Sequence, residues 1–316
     1  SQYVYSFGKC IFMPADLTAG IEFNQDKLED NMWGYHRTVD QKVNIGSAFF
    51  QNEWKNEHWG FLIGGRLDKH NLIDHVIFSP RANLRYNPTE NINLRFSYSS
   101  GFRAPQAFDE DLHVENVGGN VAMVELADNL KEERSQSLSA SADIYHRFGA
   151  FQVNFLVEGF YTKLSDVFAL TDGEVVDGIL TRTRYNAPGA RVMGLTLEGK
   201  MAYLTKFQVQ AGVTLQQSHY SEPHVWNKEA PAVKKMMRTP NTYGYFTATY
   251  TPIKPLSIAL SGTYTGSMLV PHEPVPGFLE KPITVNTKDF FDIGLKAAYD
   301  FKLYKSMNLQ VNAGVQ

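Results

Sequence analysis

Alternation of apolar and polar residues with a period of two is the feature that most constrains this chain. In Asn91–Tyr98 every even position is apolar and every odd one polar, which in a strand sends all the apolar side chains to one face. The pattern recurs at Ser135–Ile144, Phe151–Phe155, Phe207–Ala211, Leu256–Ser261 and Asn308–Ala313, and no amphipathic helix longer than two turns is recognisable. An all-β chain follows. Its connections alternate between short and long. Short ones fall near Phe12–Pro14, Lys55–His58, Pro88–Glu90, Phe148–Ala150, Thr205–Lys206, Pro252–Pro255 and Lys302–Ser306. Long ones lie at roughly Lys27–Lys42, Lys69–His75, Arg103–Arg134, Val167–Gly189, Tyr220–Thr239 and Leu269–Lys288. This spacing predicts about 14 strands in an antiparallel up-and-down meander, with every short turn at one end. Short periplasmic turns opposite long extracellular loops are the pattern of a transmembrane β-barrel.

Aromatic residues support that expectation. Every short turn is flanked by them: Phe7 and Phe12, Trp54 and Trp59, Tyr86, Tyr145 with Phe148 and Phe151, Tyr203 with Phe207, Tyr250, and Tyr299 with Phe301 and Tyr304. Rings at strand ends form the girdle at headgroup level. Aromatics are also enriched in strands generally, but coincidence at all seven turns is harder to ascribe to that. No fixed-length repeat of a solenoid or propeller is present. A helical membrane protein is excluded, because the mean hydropathy is -0.30 and no run of about 18 apolar residues occurs. The lone Cys10 excludes a disulfide framework and a cysteine zinc site. A net charge of -3 and a pI near 6.3 suggest no nucleic-acid surface. Ser1–Tyr5 shows no basic or apolar leader, so any export signal is expected to have been removed or to lie outside this sequence.

Nothing reads as an enzyme. A phosphate-cradling glycine loop, a His-Glu-x-x-His pair and a nucleophile elbow are all absent, and no cofactor is expected. Binding chemistry therefore falls to the long connections, since loops on a rigid scaffold carry it. The 32-residue segment Arg103–Arg134 holds Arg103, Asp109, Glu110, Asp111, His113 and the pair Gly118–Gly119. The acidic runs Asp109–Asp111 and Glu132–Glu133 read first as solvated loop faces, with contact to a bound metal complex or to lumen arginines as the alternative. His113 has the chemistry to ligate haem iron or another metal, although a single loop histidine more often has no such role. His219, His224 and Trp226 rim the next loop, and His272 marks a third. These loops are expected to converge over one mouth.

Asn91–His113, NINLRFSYSSGFRAPQAFDEDLH, resembles the TonB-dependent outer-membrane receptor family, in which a strand ending in Phe-Arg-Ala-Pro leads into a large surface loop. Gly101, Phe102, Arg103, Ala104 and Pro105 carry that likeness. Asn186–Gly199 is similar to a strand-opening segment of the family, with Thr196 in place of the usual acidic residue. Met237–Gly244 is similar to another strand start, and Leu309–Gln316 resembles the penultimate strand. The likeness covers the chain as barrel and includes no stretch like the family's plug domain. It implies a single partial β-barrel domain over residues 1–316, roughly strands 8 to 21 of the 22 such transporters have. It also implies an outer-membrane location and lipid contact. The implied activity is import of a scarce bulky nutrient such as a ferric siderophore, haem or a corrinoid, powered by TonB through the plug. A passive porin or a surface-binding barrel without transport shares the alternation and the girdle, but not the Phe102–Pro105 element.

Overall fold

Paired backbone runs almost without interruption through the chain. The structure, a computed structural model, describes residues 1–107, 115–117, 120–171, 174–176, 178–272, 274–275 and 277–316. Its strands are β1 (Gln2–Cys10), β2 (Met13–Met32), β3 (Arg37–Lys55), β4 (Trp59–His70), β5 (Val76–Thr89), β6 (Ile92–Arg103), β7 (Glu115–Val117), β8 (Asn120–Leu126), β9 (Glu133–Phe148), β10 (Phe151–Ser165) and β11 (Val167–Leu170). There follow β12 (Glu174–Val176), β13 (Ile179–Ala187), β14 (Ala190–Tyr203), β15 (Phe207–His224), β16 (Val233–Lys235), β17 (Thr242–Ile253), β18 (Leu256–Thr265), β19 (Leu269–His272), β20 (Ile283–Asn286), β21 (Phe290–Tyr304) and β22 (Met307–Val315). Among the described residues there is no α-helix, only a 3-10 turn at Trp33–Tyr35.

Fourteen strands form one antiparallel meander in the order β1-β2-β3-β4-β5-β6-β9-β10-β14-β15-β17-β18-β21-β22. The sheet is open, with β1 and β22 at its edges, as expected of part of a larger barrel. All seven short turns stand where the sequence placed them, each two or three residues long between its strands. Gly149 takes φ 58 in one of them, a conformation open to glycine at little cost.

Register turns the alternation into two chemically different faces. Val153, Met201, Val209, Ala248, Leu260, Leu295 and Val315 are successive cross-strand partners over seven strands. The next row, on the opposite face, reads Tyr145, Asn154, Lys200, Gln210, Thr247 and Ser261. Burial is inverted relative to a soluble protein. On β9 the serines 135, 137 and 139 are half-buried while Leu138 and Ala140 are exposed, and on β4 Asp68 and His70 are buried while Ile63 and Leu67 are exposed. The polar face is therefore the enclosed one, and the sheet curls around it.

Side-chain networks line this polar face. Arg66 donates to Asp68 Oδ1 at 2.7 Å, to Glu22 at 2.9 Å and to Ser47 at 2.7 Å. Tyr245 donates to Glu198, which also takes Lys200 at 2.8 Å. On the outer face the short-turn end carries a continuous aromatic row, Phe148, Phe151, Tyr203, Phe207 and Tyr250. Trp59 stacks on Tyr86 at 4.2 Å, and Phe12 on Trp54 at 5.7 Å.

One expected loop is in fact strand. Lys27–Lys42 continues β2 and β3 as a paired hairpin, closed by Trp33–Tyr35 with His36 at φ 50. Both faces of that hairpin are wet, so its residues show no apolar alternation, yet the ladder continues. At about 3.3 Å per residue, the 20 residues of β2 run roughly 65 Å, about twice the 9–11 residues a membrane crossing needs. The Lys69–His75 connection likewise shrinks to Asn71–His75. In lipid, Leu197→Arg on the outer face is expected to cost about 2 to 4 kcal/mol, and Gln152→Arg on the polar face much less. Urea titration of the protein folded into vesicles measures both, and equal costs would contradict the assignment of faces.

Candidate ligand-binding mouth

The connections β6–β9 and β10–β14 do not stay separate at the long-loop end. They build a second sheet, β11-β13-β8-β7, with β12 also on β13. Its centre is a parallel pairing of β13 with β8, from Ile179 opposite Val121 to Arg184 opposite Leu126. Parallel pairing between two different connections makes them one layer. Asn186 ties the layer to the barrel: its amide donates to Lys131 O at 3.0 Å and Asp166 O at 2.8 Å, and accepts from Lys131 N at 2.7 Å. The tall β2–β3 hairpin leans on the same layer. Gln41 exchanges two hydrogen bonds with the Ala107 backbone, at 3.2 and 2.7 Å, and Arg37 donates to Val124 O.

The Gly101–Pro105 element anchors the mouth. Gly101 and Arg103 pair with Ser135 and Glu133 of β9, while Ala104 and Phe102 pack on Ile73 and Ile77. Nearby His70 is fully buried, its Nε2 3.3 Å from Gln106 Oε1 and its Nδ1 accepting from Leu72 N at 3.1 Å. Arg103 and Arg184 both lie against the Phe168 ring, at 5.7 and 5.9 Å from its centroid. Arg182 pairs with the same Val124 whose carbonyl takes Arg37. Four arginines thus gather at the mouth, a constellation that can hold an anionic ligand by charge and planar hydrogen bonding.

The other expected site residues divide. Asp109, Glu110, Asp111, His113 and the pair Gly118–Gly119 lie outside the described residues. His224 ends β15 with its ring 4.8 Å from that of Tyr220. Trp226 is buried, its indole N–H without a partner among the described residues. His272 is exposed on the β19–β20 hairpin, which joins the rest through Arg238 N to Leu269 O at 2.7 Å. His219 is not in the loop but within β15, on the outer face shared with Leu215. No group of three or more His, Cys, Asp or Glu suited to a metal ion occurs among the described residues.

The reading of Glu132–Glu133 as a solvated run needs correction. Glu133 accepts from Phe168 N at 2.9 Å, and Glu132 is buried, taking Arg134 at 2.7 Å and His75 at 3.1 Å. His75 also meets Asp74 at 2.8 Å. Burial opposes charge on Glu132, yet hydrogen bonds from Arg134, its own backbone and His75 outweigh it and hold the carboxyl below its usual value. His75 is raised by hydrogen bonding to Asp74 and then to Glu132. Arg134 Nη2 lies 3.1 Å from the same His75 nitrogen, but the two carboxylates prevail over it.

The chain matches the TonB dependent receptor-like β-barrel family over residues 3–316, and it belongs to that family. No curated protein matches it significantly. Among solved structures it is similar to the siderophore receptor PirA from Pseudomonas aeruginosa, at 16% identity and TM-score 0.71, over 99% of this chain and 51% of that one. It is also similar to a variant of the ferric enterobactin receptor PfeA from Pseudomonas aeruginosa, at 18% identity and TM-score 0.68, covering 99% and 47%. A third is the FrpB iron transporter from Neisseria meningitidis, at 14% identity and TM-score 0.64, covering 94% and 48%. The chain spans about half the length of these relatives.

The Glu132 cluster acts as a latch between the Asn71–His75 turn and the root of β9. A lowered carboxyl contributes above the reference value of 4.5 and is lost as pH falls through its depressed value. A raised imidazole contributes fully below 6.5 and is lost as pH rises through its elevated value. The latch is therefore tightest between those references. Amide exchange in Asn71–His75 and Lys131–Arg134 is expected to quicken in Glu132→Gln most strongly near pH 5.5, with a smaller difference at pH 8.

Proposed function

We propose that this chain forms strands 8 to 21 of a 22-stranded outer-membrane importer that captures an anionic iron chelate, a ferric siderophore or haem, at its long-loop end. The observation that carries this reading is the Arg103–Phe168–Arg184 stack, with Arg37 and Arg182 beside it on one ordered layer. A receptor that draws a scarce ligand from outside needs a preformed site on its external face, and fixing these cations in advance lowers the ordering cost of binding. The iron-related relatives support the ligand class. Asp109, Glu110, Asp111, His113, His224, Trp226 and His272 are further proposed contacts, whereas His219 faces away. The barrel sits in a Gram-negative outer membrane, and uptake is energised by TonB through a plug domain outside this sequence. No catalysis is assigned to it. A passive porin needs no such clustered mouth.

In the full-length receptor, Arg103→Ala with Arg184→Ala is expected to lower uptake of its ferric chelate at least tenfold while the protein still reaches the outer membrane. Radio-iron uptake with a panel of ferric siderophores, haem and a corrinoid measures this. Uptake of every tested iron complex at the unmodified rate would overturn the assignment, and a loss confined to the corrinoid would name that substrate instead.

A further inference from the structure

The outer face of the barrel carries a feature that import of a ligand through the lumen does not use. At the long-loop end of four adjacent strands, Lys163 of β10, Arg191 of β14, His219 of β15 and Lys235 of β16 are successive cross-strand partners. All four share the face of Tyr161, Met193 and Leu215: Lys163, Arg191 and His219 each lie an even number of residues from one of these, and Lys235 is the cross-strand partner of His219. Lys163 and Arg191 are exposed and directly opposed. Like charges in that relation destabilise a sheet, and among the described residues no carboxylate pairs with Lys163, Arg191 or Lys235. The row asks for an external anion.

Its height says which kind. Phe151 of the aromatic row and Lys163 are twelve residues apart on β10, about 40 Å along the strand. A tilt of roughly 40° reduces this to about 30 Å of height. That spans an apolar band of about 25 Å with one girdle at each side, so if the short-turn row lies at one headgroup level, the cations lie at the other. Immediately beneath them the outer face is hollowed into an open groove of about 880 Å³, lined by Leu138, Gly159, Tyr161, Met193, Leu195 and Leu215. Cations above an apolar groove match an amphiphile with an anionic head and several chains.

We infer that the Lys163–Arg191–His219–Lys235 row binds the head-group phosphate of a multiply acylated lipid of the outer leaflet, with one acyl chain lying in the groove below. This rests on the outer-membrane reading above. The lipid's phosphate offsets the Lys163–Arg191 repulsion, and its chain covers a groove that straight lipid chains would fill poorly. Because the row flanks β14 and β15, directly below the mouth, a lipid held there would brace the strands on which the second sheet rests.

The test uses the full-length receptor purified in detergent from outer membranes, with bound lipid read by native mass spectrometry. A phosphorylated multi-acyl glycolipid is expected to be retained, and its dephosphorylated counterpart and inorganic phosphate at least tenfold less. The variant Lys163→Gln, Arg191→Gln, Lys235→Gln should lose retention at least tenfold, while Lys163→Arg with Lys235→Arg keeps it. Gly159→Trp fills the groove, since a side chain there meets nothing within 4 Å, and should weaken retention with every charge in place. If the triple variant fails to fold, Gly159→Trp and the dephosphorylated lipid decide the matter. Equal retention of the two lipids, or undiminished retention by the folded triple variant or by Gly159→Trp, would overturn the inference. Unmodified protein found in the outer membrane but without lipid overturns this inference alone, whereas protein found outside that membrane overturns the reading on which it rests.

Discussion

Backbone hydrogen bonding in hydrocarbon is the constraint on which everything else depends. With no water to satisfy an N–H or C=O, a spanning chain must pair each one internally, and strands do so only with neighbours on both sides. The fourteen-strand meander meets that demand for all but its two edge strands by laying each strand beside the next, with seven minimal turns at one end and the longer connections at the other. Period-two faces follow from the pairing. One face then has to suit lipid and the other an aqueous lumen, which is why Val153 and its six partners form an unbroken apolar row back to back with Asn154, Lys200 and Gln210. A conventional core is nearly absent. The one hydrophobic cluster of buried residues among those described, Ile73, Ile77 and Ala104, lies at the mouth.

At the mouth the same pairing rule produces a different result. Above the membrane, water is available, so the long connections are free to be irregular, yet much of their described length is strand. Their parallel union through β8 and β13 gives arginines from β3, β6 and β13 a common platform. Asn186 ties this platform to the end of β10 at Asp166, Gln41 ties the segment after β6 to β3 through Ala107, and Glu132 ties the root of β9 to His75. For the proposed capture of an external ligand, this rigid placement leaves little ordering to be done on binding.

The meander was legible because lipid and lumen impose opposite chemistry on successive residues, and only turns interrupt it. Lys27–Lys42 was not legible. Above the membrane both faces of β2 and β3 meet water, the apolar alternation vanishes, and a ladder of Lys, Glu and Asp reads as loop. The second sheet was hidden for another reason: β8 pairs with β13 more than fifty residues away, and nothing local to either segment announces a partner. Glu132 looked like half of a solvated acidic pair, and only the fold shows it buried and met by His75, 57 residues away. His219 is different, since counting by twos from Leu215 already puts it on the outer face. Its neighbourhood to a loop obscured that parity.

The inverted arrangement of faces is the central claim, and β10 offers the most direct test. With Cys10→Ser as a cysteine-free background, single cysteines at positions 152 to 157 can carry spin labels in the protein reconstituted in lipid. Collision with dissolved oxygen, which concentrates in hydrocarbon, is compared with collision with a water-soluble nickel chelate. Labels at positions 153, 155 and 157 should favour oxygen and those at 152, 154 and 156 the chelate, in strict alternation. The opposite phase, or accessibility without a period of two, would contradict the account.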